Sequence, residues 1–223
     1  MVLYHCMSAR SFRPLWMLEE IGLPYQLKML PFPPRSRAPA YLEVNPLGTI
    51  PALSDGAVRM TESAAICHYL AARHSARNMN VEADEPDFGA YLNALHFGEA
   101  TLTFPQTLVL RYGRFEPPAR RLPQVVEDYT RWFLSRLRAF AALVEHREFV
   151  CAGRFTAADV SVGYALLLGE HIGLAEAFKS PVRAYWEALK RREGFNRALA
   201  AQDRAAVEQG VPPVHVASEV GPL

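Results

Sequence analysis

A strand, a helix and a second strand follow one another at the start of the chain, and this order constrains the fold more than any other feature. Val2–His5 is typical of a short buried strand, and residues 25–30 are typical of a second one. Between them, Ser11 can cap a helix whose apolar positions recur at helical spacing, and Gly22 can end it. Such a unit predicts two parallel strands joined by a right-handed crossover.

The chain then returns to strands through a hairpin. Residues 31–40 hold four prolines and are expected to form an irregular loop. Asp55-Gly56 is a hairpin turn signal, after which residues 58–60 run back antiparallel. A helix should follow, from residue 61 or 62 to about residue 74. This order of elements predicts a thioredoxin-like α/β domain.

The second half of the chain has a different pattern. Residues 75–86 are polar and typical of a linker, and after Asp87 the apolar residues recur at helical spacing without strand alternation. We therefore expect the α/β domain to be followed by an all-α helical bundle. The predicted division is a thioredoxin-like domain at 1–76, a linker at 77–86, an all-α domain at 87–206 and an irregular tail at 207–223.

Composition narrows the class of protein. Half of the residues are hydrophobic and 21% are charged, and the formal net charge is +1, so no bulk charge attracts nucleic acid or an anionic membrane. No apolar run approaches the ~20 residues of a membrane span, and the first residues lack the basic region, long apolar core and cleavage site expected of a signal peptide. We expect a cytoplasmic protein without nucleic-acid or membrane partners.

The cysteines and histidines do not form a recognisable site. Cys6, Cys67 and Cys151 are far apart in the sequence, which argues against a disulfide framework or a Cys-x-x-Cys redox pair. The seven histidines show neither a His-Glu-x-x-His motif nor a cluster with cysteine. We expect no metal site and no tightly bound cofactor.

Four segments, spread over most of the chain, carry motifs that belong together. They are Leu3-Tyr4 with Ser8-Ala9-Arg10-Ser11-Phe12-Arg13, Asn45-Pro46-Leu47-Gly48-Thr49-Ile50-Pro51-Ala52-Leu53, Thr61-Glu62-Ser63-Ala64-Ala65-Ile66, and Phe155-Thr156-Ala157-Ala158-Asp159-Val160. In this order and at these distances they resemble the glutathione S-transferase family, in particular its bacterial, serine-type, cytosolic members. Only the tail after Arg204 falls outside the resemblance.

The resemblance assigns a glutathione site to the first domain. It implies a cis peptide at Ile50-Pro51, which exposes the backbone of Ile50 for pairing with the cysteinyl part of glutathione. A proline at this place could otherwise mark only a strand edge. Thr49 stands where many members have a lysine, so one cationic contact to the tripeptide is missing here. Arg37, with Arg35 as the neighbouring candidate, would meet the glycyl carboxylate.

Glu62 and Ser63 would bind the other end of the tripeptide. A helix N-terminus offers free N–H groups that attract an anion. Together with the Ser63 hydroxyl they would hold the γ-glutamyl carboxylate, and Glu62 would take the ammonium group. Without a ligand, the same two residues would be only a cap and an acid that suits the helix dipole.

Two residues are candidates for activating the glutathione thiol. A thiol with a pKa near 8.5 is only a few per cent ionised at pH 7, so the site must favour the thiolate. Ser8 has the position of the serine in serine-using members and could donate its hydroxyl hydrogen to the sulfur. Arg10, which stands where another bacterial class has a cysteine, could act through its charge. Tyr4 is a weaker rival because it lies inside the first strand.

Other motif residues are interpreted as structural. Arg13 could be either a cation of the site or a structural partner near the first helix, and the structural role is favoured. Thr156 and Asp159 fit a capping box, in which the Asp lies at the third helical position. Cys6 is expected to be a buried strand residue.

The second substrate would be a small apolar electrophile held by the helical domain. Its candidate pocket residues are Phe104, Leu108, Tyr112 and Phe115, although such side chains are more often plain core. By resemblance the protein would be a homodimeric glutathione transferase with glutathione as co-substrate, and detoxification would be its role. The alternatives are a glutathione-dependent isomerase or dehalogenase on the same fold, or a non-catalytic glutathione-binding or chaperone-like protein.

Overall fold

The structure is a computed structural model that describes residues 1–75 and 78–212. The chain divides into two compact units. The first combines Met1–Asn80 with the segment that begins at Arg191, and the second is Val81–Lys190. The helix of the second segment packs on the first helix and on the second strand of the chain. The predicted division into residues 1–76, 77–86, 87–206 and 207–223 stays a prediction.

The first unit contains a mixed four-stranded sheet. Its strands are β1 (Val2–His5), β2 (Gln26–Met29), β3 (Ala52–Asp55) and β4 (Val58–Met60), in the spatial order β2-β1-β3-β4. β1 and β2 are parallel, whereas β3 is antiparallel to both β1 and β4. The predicted thioredoxin-like domain, with its strand–helix–strand unit and hairpin, is thereby confirmed.

The helices of this unit are α1 (Phe12–Ile21), α3 (Ser63–His74) and α9 (Glu193–Glu208), with the short α2 (Pro34–Arg37). α1 packs against both α3 and α9. Gly22 ends α1 as predicted, because its left-handed φ of 81° lets its N–H reach the carbonyl of Leu18.

Two local expectations are wrong. Ser11 precedes α1 but its side chain makes no capping hydrogen bond; its Oγ lies 2.8 Å from His5 Nδ1 instead. Residues 31–40 are not fully irregular, since α2 and a 3-10 turn at Pro39–Glu43 lie there. Proline is favourable in the first turn of a helix, where its missing N–H costs nothing, and both of these turns begin with one.

The second unit is helical. It consists of α4 (Phe88–His96), α5 (Phe104–Leu110), α6 (Pro123–Val144), α7 (Ala157–His171) and α8 (Ser180–Lys190). Wider π-helical turns at Phe97–Thr103 and Arg111–Phe115 follow α4 and α5. Residues 78–212 contain no strand in the described structure, so the predicted all-α character of this part is confirmed. No helix among the described residues is both long and apolar enough to span a membrane.

The chain beyond α9 is described only as far as residue 212. The irregular tail predicted at 207–223 therefore lies mostly outside the described residues, and its first two residues belong to α9.

Asp159 holds the start of the buried helix α7. Its Oδ1 accepts hydrogen bonds from the Val150 N–H at 2.9 Å and the Tyr185 hydroxyl at 2.8 Å. Its Oδ2 accepts the Thr156 N–H at 2.9 Å and the Thr156 hydroxyl at 3.2 Å. Thr156 Oγ1 in turn accepts the Ala158 N–H, so the predicted capping box is confirmed.

We predict that Asp159→Ala lowers the free energy of unfolding by at least about 3 kcal/mol, because it leaves four buried donor hydrogens without their acceptor. Urea unfolding measures this. Asp128→Ala is the matched control: Asp128 is half exposed on α6, and its loss should change stability by no more than about 0.5 kcal/mol. Equal effects of the two variants would contradict the structural role of Asp159.

The pH dependence of this effect has a defined sign. Burial raises the pKa of Asp159 from 3.8 to about 6, although the hydrogen bonds that its carboxylate accepts act in the opposite direction and lower the pKa. The folded state therefore holds the proton more tightly than the unfolded state. The stability that wild type has over the non-titrating Asp159→Asn variant should be largest below about pH 4 and should fall as the pH rises to about 6.

Candidate functional site

Three chain segments meet at one edge of the sheet in the first unit. Tyr4 pairs with Ala52 across the antiparallel strands, so Ile50 and Pro51, which precede β3, lie beside the end of β1. The turn to α1 leaves from that end. Arg13 of α1 donates from Nη1 to Ser63 Oγ at 3.2 Å, which fixes the start of α3 to the start of α1. The sheet register and this hydrogen bond bring the predicted ligand segments together.

The segment before β3 has the predicted cis peptide. The Ile50-Pro51 bond is cis, and the side chains of both residues are buried, whereas Thr49 is exposed. The Thr49 carbonyl accepts hydrogen bonds from the Tyr41 hydroxyl and from Asn45 Nδ2, both at 2.7 Å. This carbonyl is thus turned inward and held, which fixes the chain as it enters Ile50.

Asn45 and Tyr41 are structural residues that the sequence analysis missed. Asn45 is 2% exposed, and its Oδ1 also accepts the Leu47 N–H at 3.1 Å. An Asn-Pro pair is a known turn signal and could have pointed to Asn45. Nothing in the local sequence points to Tyr41, which reaches the turn from a separate helical segment.

The two candidate arginines for the glycyl carboxylate lie next to this turn. Gly48 has a left-handed φ of 62°, and a Cβ there would lie 2.6 Å from Arg35 Cβ, so α2 packs directly on the turn. Arg35 and Arg37 occupy this short helix, and both side chains are exposed. A cation is therefore available at the surface beside Thr49 and Ile50.

The start of α3 has the features of an anion site with an acid beside it. Glu62 is the N-cap residue, but its exposed side chain makes no capping hydrogen bond. Ser63 is 4% exposed, and its hydroxyl oxygen accepts from the fully buried Arg13. Arg13 thus places a positive charge behind a helix N-terminus that already favours anions. This contact agrees with the structural role expected for Arg13.

Ser8 lies in the turn between β1 and α1, and its side chain is directed into the protein. It is 1% exposed and has a left-handed φ of 52°, which is uncommon for a residue with a Cβ. Its N–H donates to Gln202 Oε1 at 3.1 Å, and Gln202 Nε2 donates to its hydroxyl at 3.4 Å. Arg10 in the same turn is half-buried. Because Gln202 Nε2 donates to it, the Ser8 hydroxyl oxygen acts as an acceptor there, and its own hydrogen can be donated to another group.

The remaining reactive side chains of the first unit are less suited to this chemistry. The Tyr4 ring packs on Tyr41, with 5.4 Å between the ring centres. Cys6 is fully buried, and burial raises the pKa of its thiol well above the ordinary range. Burial likewise raises the pKa of the Cys67 thiol to about 12. Both thiols are therefore neutral and poorly reactive near pH 7.

The four candidate pocket residues belong to the second unit and differ in exposure. Phe104 is 48% exposed and meets the Tyr129 ring edge-on, whereas Phe115 is only 8% exposed and belongs to the core. Leu108 and Tyr112 are half-buried. A separate apolar pocket of about 190 Å³ lies between α4 and α6 and includes none of the four.

Among the described residues, no three His, Cys, Asp or Glu side chains are close enough together to hold a metal ion.

Comparison with known proteins gives one matching family model. Residues 7–73 match the model of the glutathione S-transferase N-terminal domain. Among curated relatives, glutathione S-transferase 3 of Schizosaccharomyces pombe is 37% identical over 101 residues, which cover 45% of this chain and 42% of the relative. The chain thus spans less than half of that relative. Glutathione S-transferase A of Pleuronectes platessa is 28% identical, and the match covers 83% of this chain and 84% of the relative.

A solved structure resembles the whole fold. A sphingomonad glutathione S-transferase, determined in complex with glutathione, superposes with a TM-score of 0.80 at 22% identity. The match covers 91% of this chain and 99% of that one. At this identity the likeness establishes the fold of the chain.

Proposed function

We propose that this chain, which belongs to the glutathione S-transferase family, is a glutathione transferase. It would bind glutathione with its first unit and add the thiolate of glutathione to a small apolar electrophile. The observation that carries the proposal is the start of α3. A buried cation, a helix N-terminus and an exposed acid lie together there, at the sheet edge where the chain enters β3.

The geometry supports separate contacts for the γ-glutamyl, cysteinyl and glycyl parts of glutathione. The γ-glutamyl carboxylate would accept hydrogen bonds from the Ser63 hydroxyl and the first N–H groups of α3, with Arg13 behind them. Its ammonium would pair with Glu62. The cysteinyl backbone would pair with Ile50 as an added strand, held in place by Thr49 and Pro51. Arg37 on α2 would meet the glycyl carboxylate.

The chemical step needs a thiolate. The thiol of glutathione releases its proton to solvent, and the sulfur uses the freed electron pair to form a C–S bond to the electrophile. In a displacement the leaving group departs with the bonding electrons. In an addition the electron pair of the attacked double bond takes a proton from water. Ser8 and Arg10 would lower the thiol pKa by stabilising the negative sulfur.

The electrophile would bind to an apolar surface of the second unit. Phe104, Leu108 and Tyr112 offer partly exposed apolar area, while Phe115 would support them from the core. The identity of the electrophile follows from a panel of aryl halides, epoxides, isothiocyanates and peroxides assayed with glutathione. Glutathione binding without any lowering of the thiol pKa would favour the non-catalytic alternative.

We predict that Glu62→Ala weakens glutathione binding by about 1.5–3 kcal/mol, because one charge-assisted hydrogen bond to the ligand ammonium is lost. Stability should change little, since the exposed Glu62 side chain makes no capping contact. Calorimetric titration measures the affinity. Glu208→Ala, at the exposed end of α9, changes the net charge equally and should leave affinity unaltered. Unchanged affinity in Glu62→Ala would remove Glu62 from the site.

We predict that Ser8→Ala raises the thiol pKa of bound glutathione by about one unit, equivalent to about 1.4 kcal/mol, with affinity nearly intact. A neutral thiol gains little from the hydroxyl and a thiolate gains much, so turnover near neutral pH should fall about tenfold. The ultraviolet absorbance of the thiolate, titrated against pH, measures the shift. If Ser8→Ala titrates like wild type and Arg10→Ala does not, the Arg10 charge is the activator.

We further propose that the protein is a homodimer with two-fold symmetry. The support is family membership, because members of this family are expected to pair, with an interface of at least ~1,000 Å². Sedimentation at micromolar concentration should give twice the 25.0 kDa mass of one chain. A species of the single-chain mass would contradict the proposal.

A further inference from the structure

Gln202 of α9 is joined to the turn that carries Ser8 by a buried set of hydrogen bonds. Gln202 is fully buried, although a neutral amide at such a place costs free energy unless it is hydrogen-bonded. Its Oε1 lies 3.1 Å from the Ser8 nitrogen and 3.0 Å from His5 Nε2. Its Nε2 lies 3.4 Å from Ser8 Oγ. All of these residues belong to the first unit.

The directions of these hydrogen bonds follow from chemistry. The Ser8 N–H can only donate, so the oxygen of the Gln202 amide must face it. The same oxygen faces His5 Nε2, which must therefore carry the proton of a neutral imidazole. His5 Nδ1 is then an acceptor, and it takes the hydroxyl hydrogen of Ser11 at 2.8 Å.

The set also includes the backbone of the turn itself. The Cys6 N–H donates to Ser11 Oγ at 3.3 Å, so the residue that follows β1 and the residue that precedes α1 are tied together. Burial lowers the pKa of His5 to about 4, and the ring stays neutral near pH 7. A neutral ring keeps both of its hydrogen bonds and adds no charge beside the turn.

We propose that Gln202 is a positioning residue for thiol activation: it holds the Ser8 turn in the one backbone conformation that presents Ser8 and Arg10 to the glutathione sulfur. This inference rests on the proposed function. The left-handed φ of Ser8 is the reason that a support is needed, because a residue with a Cβ adopts this region only when its surroundings hold it there. Gln202 contacts both the backbone and the hydroxyl of this residue, and so it can supply that support.

A second glutamine provides a matched control. Gln209, just after α9, makes the same kind of paired contact with the backbone of β2. Its Oε1 accepts the Met29 N–H at 2.9 Å, and its Nε2 donates to the Leu27 carbonyl at 2.9 Å. Gln209 ties the same end of the chain to the sheet, but its hydrogen bonds do not involve the Ser8 turn. Replacing Gln209 therefore removes a pair of side-chain to backbone hydrogen bonds without changing the contacts of Ser8.

The first measurement needs no ligand. In Gln202→Leu we expect hydrogen exchange at the Ser8 amide to speed up by about tenfold or more relative to the core amides of β1, because its acceptor is gone. Gln209→Leu should instead affect the Met29 amide and leave Ser8 unchanged. If Ser8 exchange in Gln202→Leu rises only as much as that of the core amides, Gln202 is an ordinary stability contact and the proposal is wrong.

The second measurement reads the function. Gln202→Leu should raise the thiol pKa of bound glutathione by about one unit and lower kcat at neutral pH, with KM for glutathione changed less than twofold. Gln209→Leu should leave the thiol pKa unaltered even if it lowers the melting temperature. A thiol pKa equal to that of wild type in Gln202→Leu overturns the inference.

A further variant covers the case in which Gln202→Leu does not fold. Gln202→Glu keeps acceptor oxygens for the Ser8 N–H and for His5, so protection of the Ser8 amide should be retained. Its added negative charge should raise the thiol pKa of bound glutathione and the imidazole pKa of His5. Loss of Ser8 protection in this variant would count against the proposed geometry.

Failure of the proposed function can be told apart from failure of this inference. If wild type binds no glutathione in calorimetry, the proposed function fails, while the hydrogen-exchange comparison still decides whether Gln202 holds the turn.

Discussion

The pairing of Tyr4 with Ala52 brings the end of β1 beside the chain that enters β3, and the proposed glutathione-binding groups lie around this point. Because the two strands are antiparallel, the end of one and the beginning of the other meet at the same edge of the sheet. A shift of the register by one residue would turn the alternating side chains of β3 to the opposite face. The segment with the cis peptide would also move along the turn with Ser8, so the relative position of these two motifs depends on this register.

The charge distribution at this edge of the sheet depends on which ionisable side chains are buried and which are exposed. Arg13 is buried with a hydroxyl as one of its partners, while Glu62 stays in solvent at the surface. His5, also buried, is neutral near pH 7 because burial lowers its pKa. In the proposed site, the Arg13 charge would favour an anion and the Glu62 carboxylate at the rim would favour an ammonium, whereas the neutral His5 ring adds no charge beside the Ser8 turn.

Local patterns in the sequence predicted the elements well and the long-range contacts poorly. The hairpin at Asp55-Gly56, the stop at Gly22 and the capping box at Asp159 depend on residues within a few positions, and each could be identified from its own segment. Ser11 was misassigned because a serine before a helix has more than one use. Here a histidine in the preceding strand takes its hydroxyl hydrogen.

The contacts that shape the candidate site join distant parts of the chain, and no short window contains both partners. Arg13 and Ser63 are 50 positions apart, and Ser8 and Gln202 are 194 apart. A glutamine on a helix carries no signal that it will be buried against the first turn of the protein.

The large distance in sequence between Ser8 and Gln202 has a physical consequence. If Gln202 holds Ser8 in its uncommon backbone conformation, as we propose, the geometry of a turn at the start of the chain depends on a helix near its end. Under the proposed function, thiol activation would then require the folded first unit as a whole, because the residues of the turn would not supply it alone.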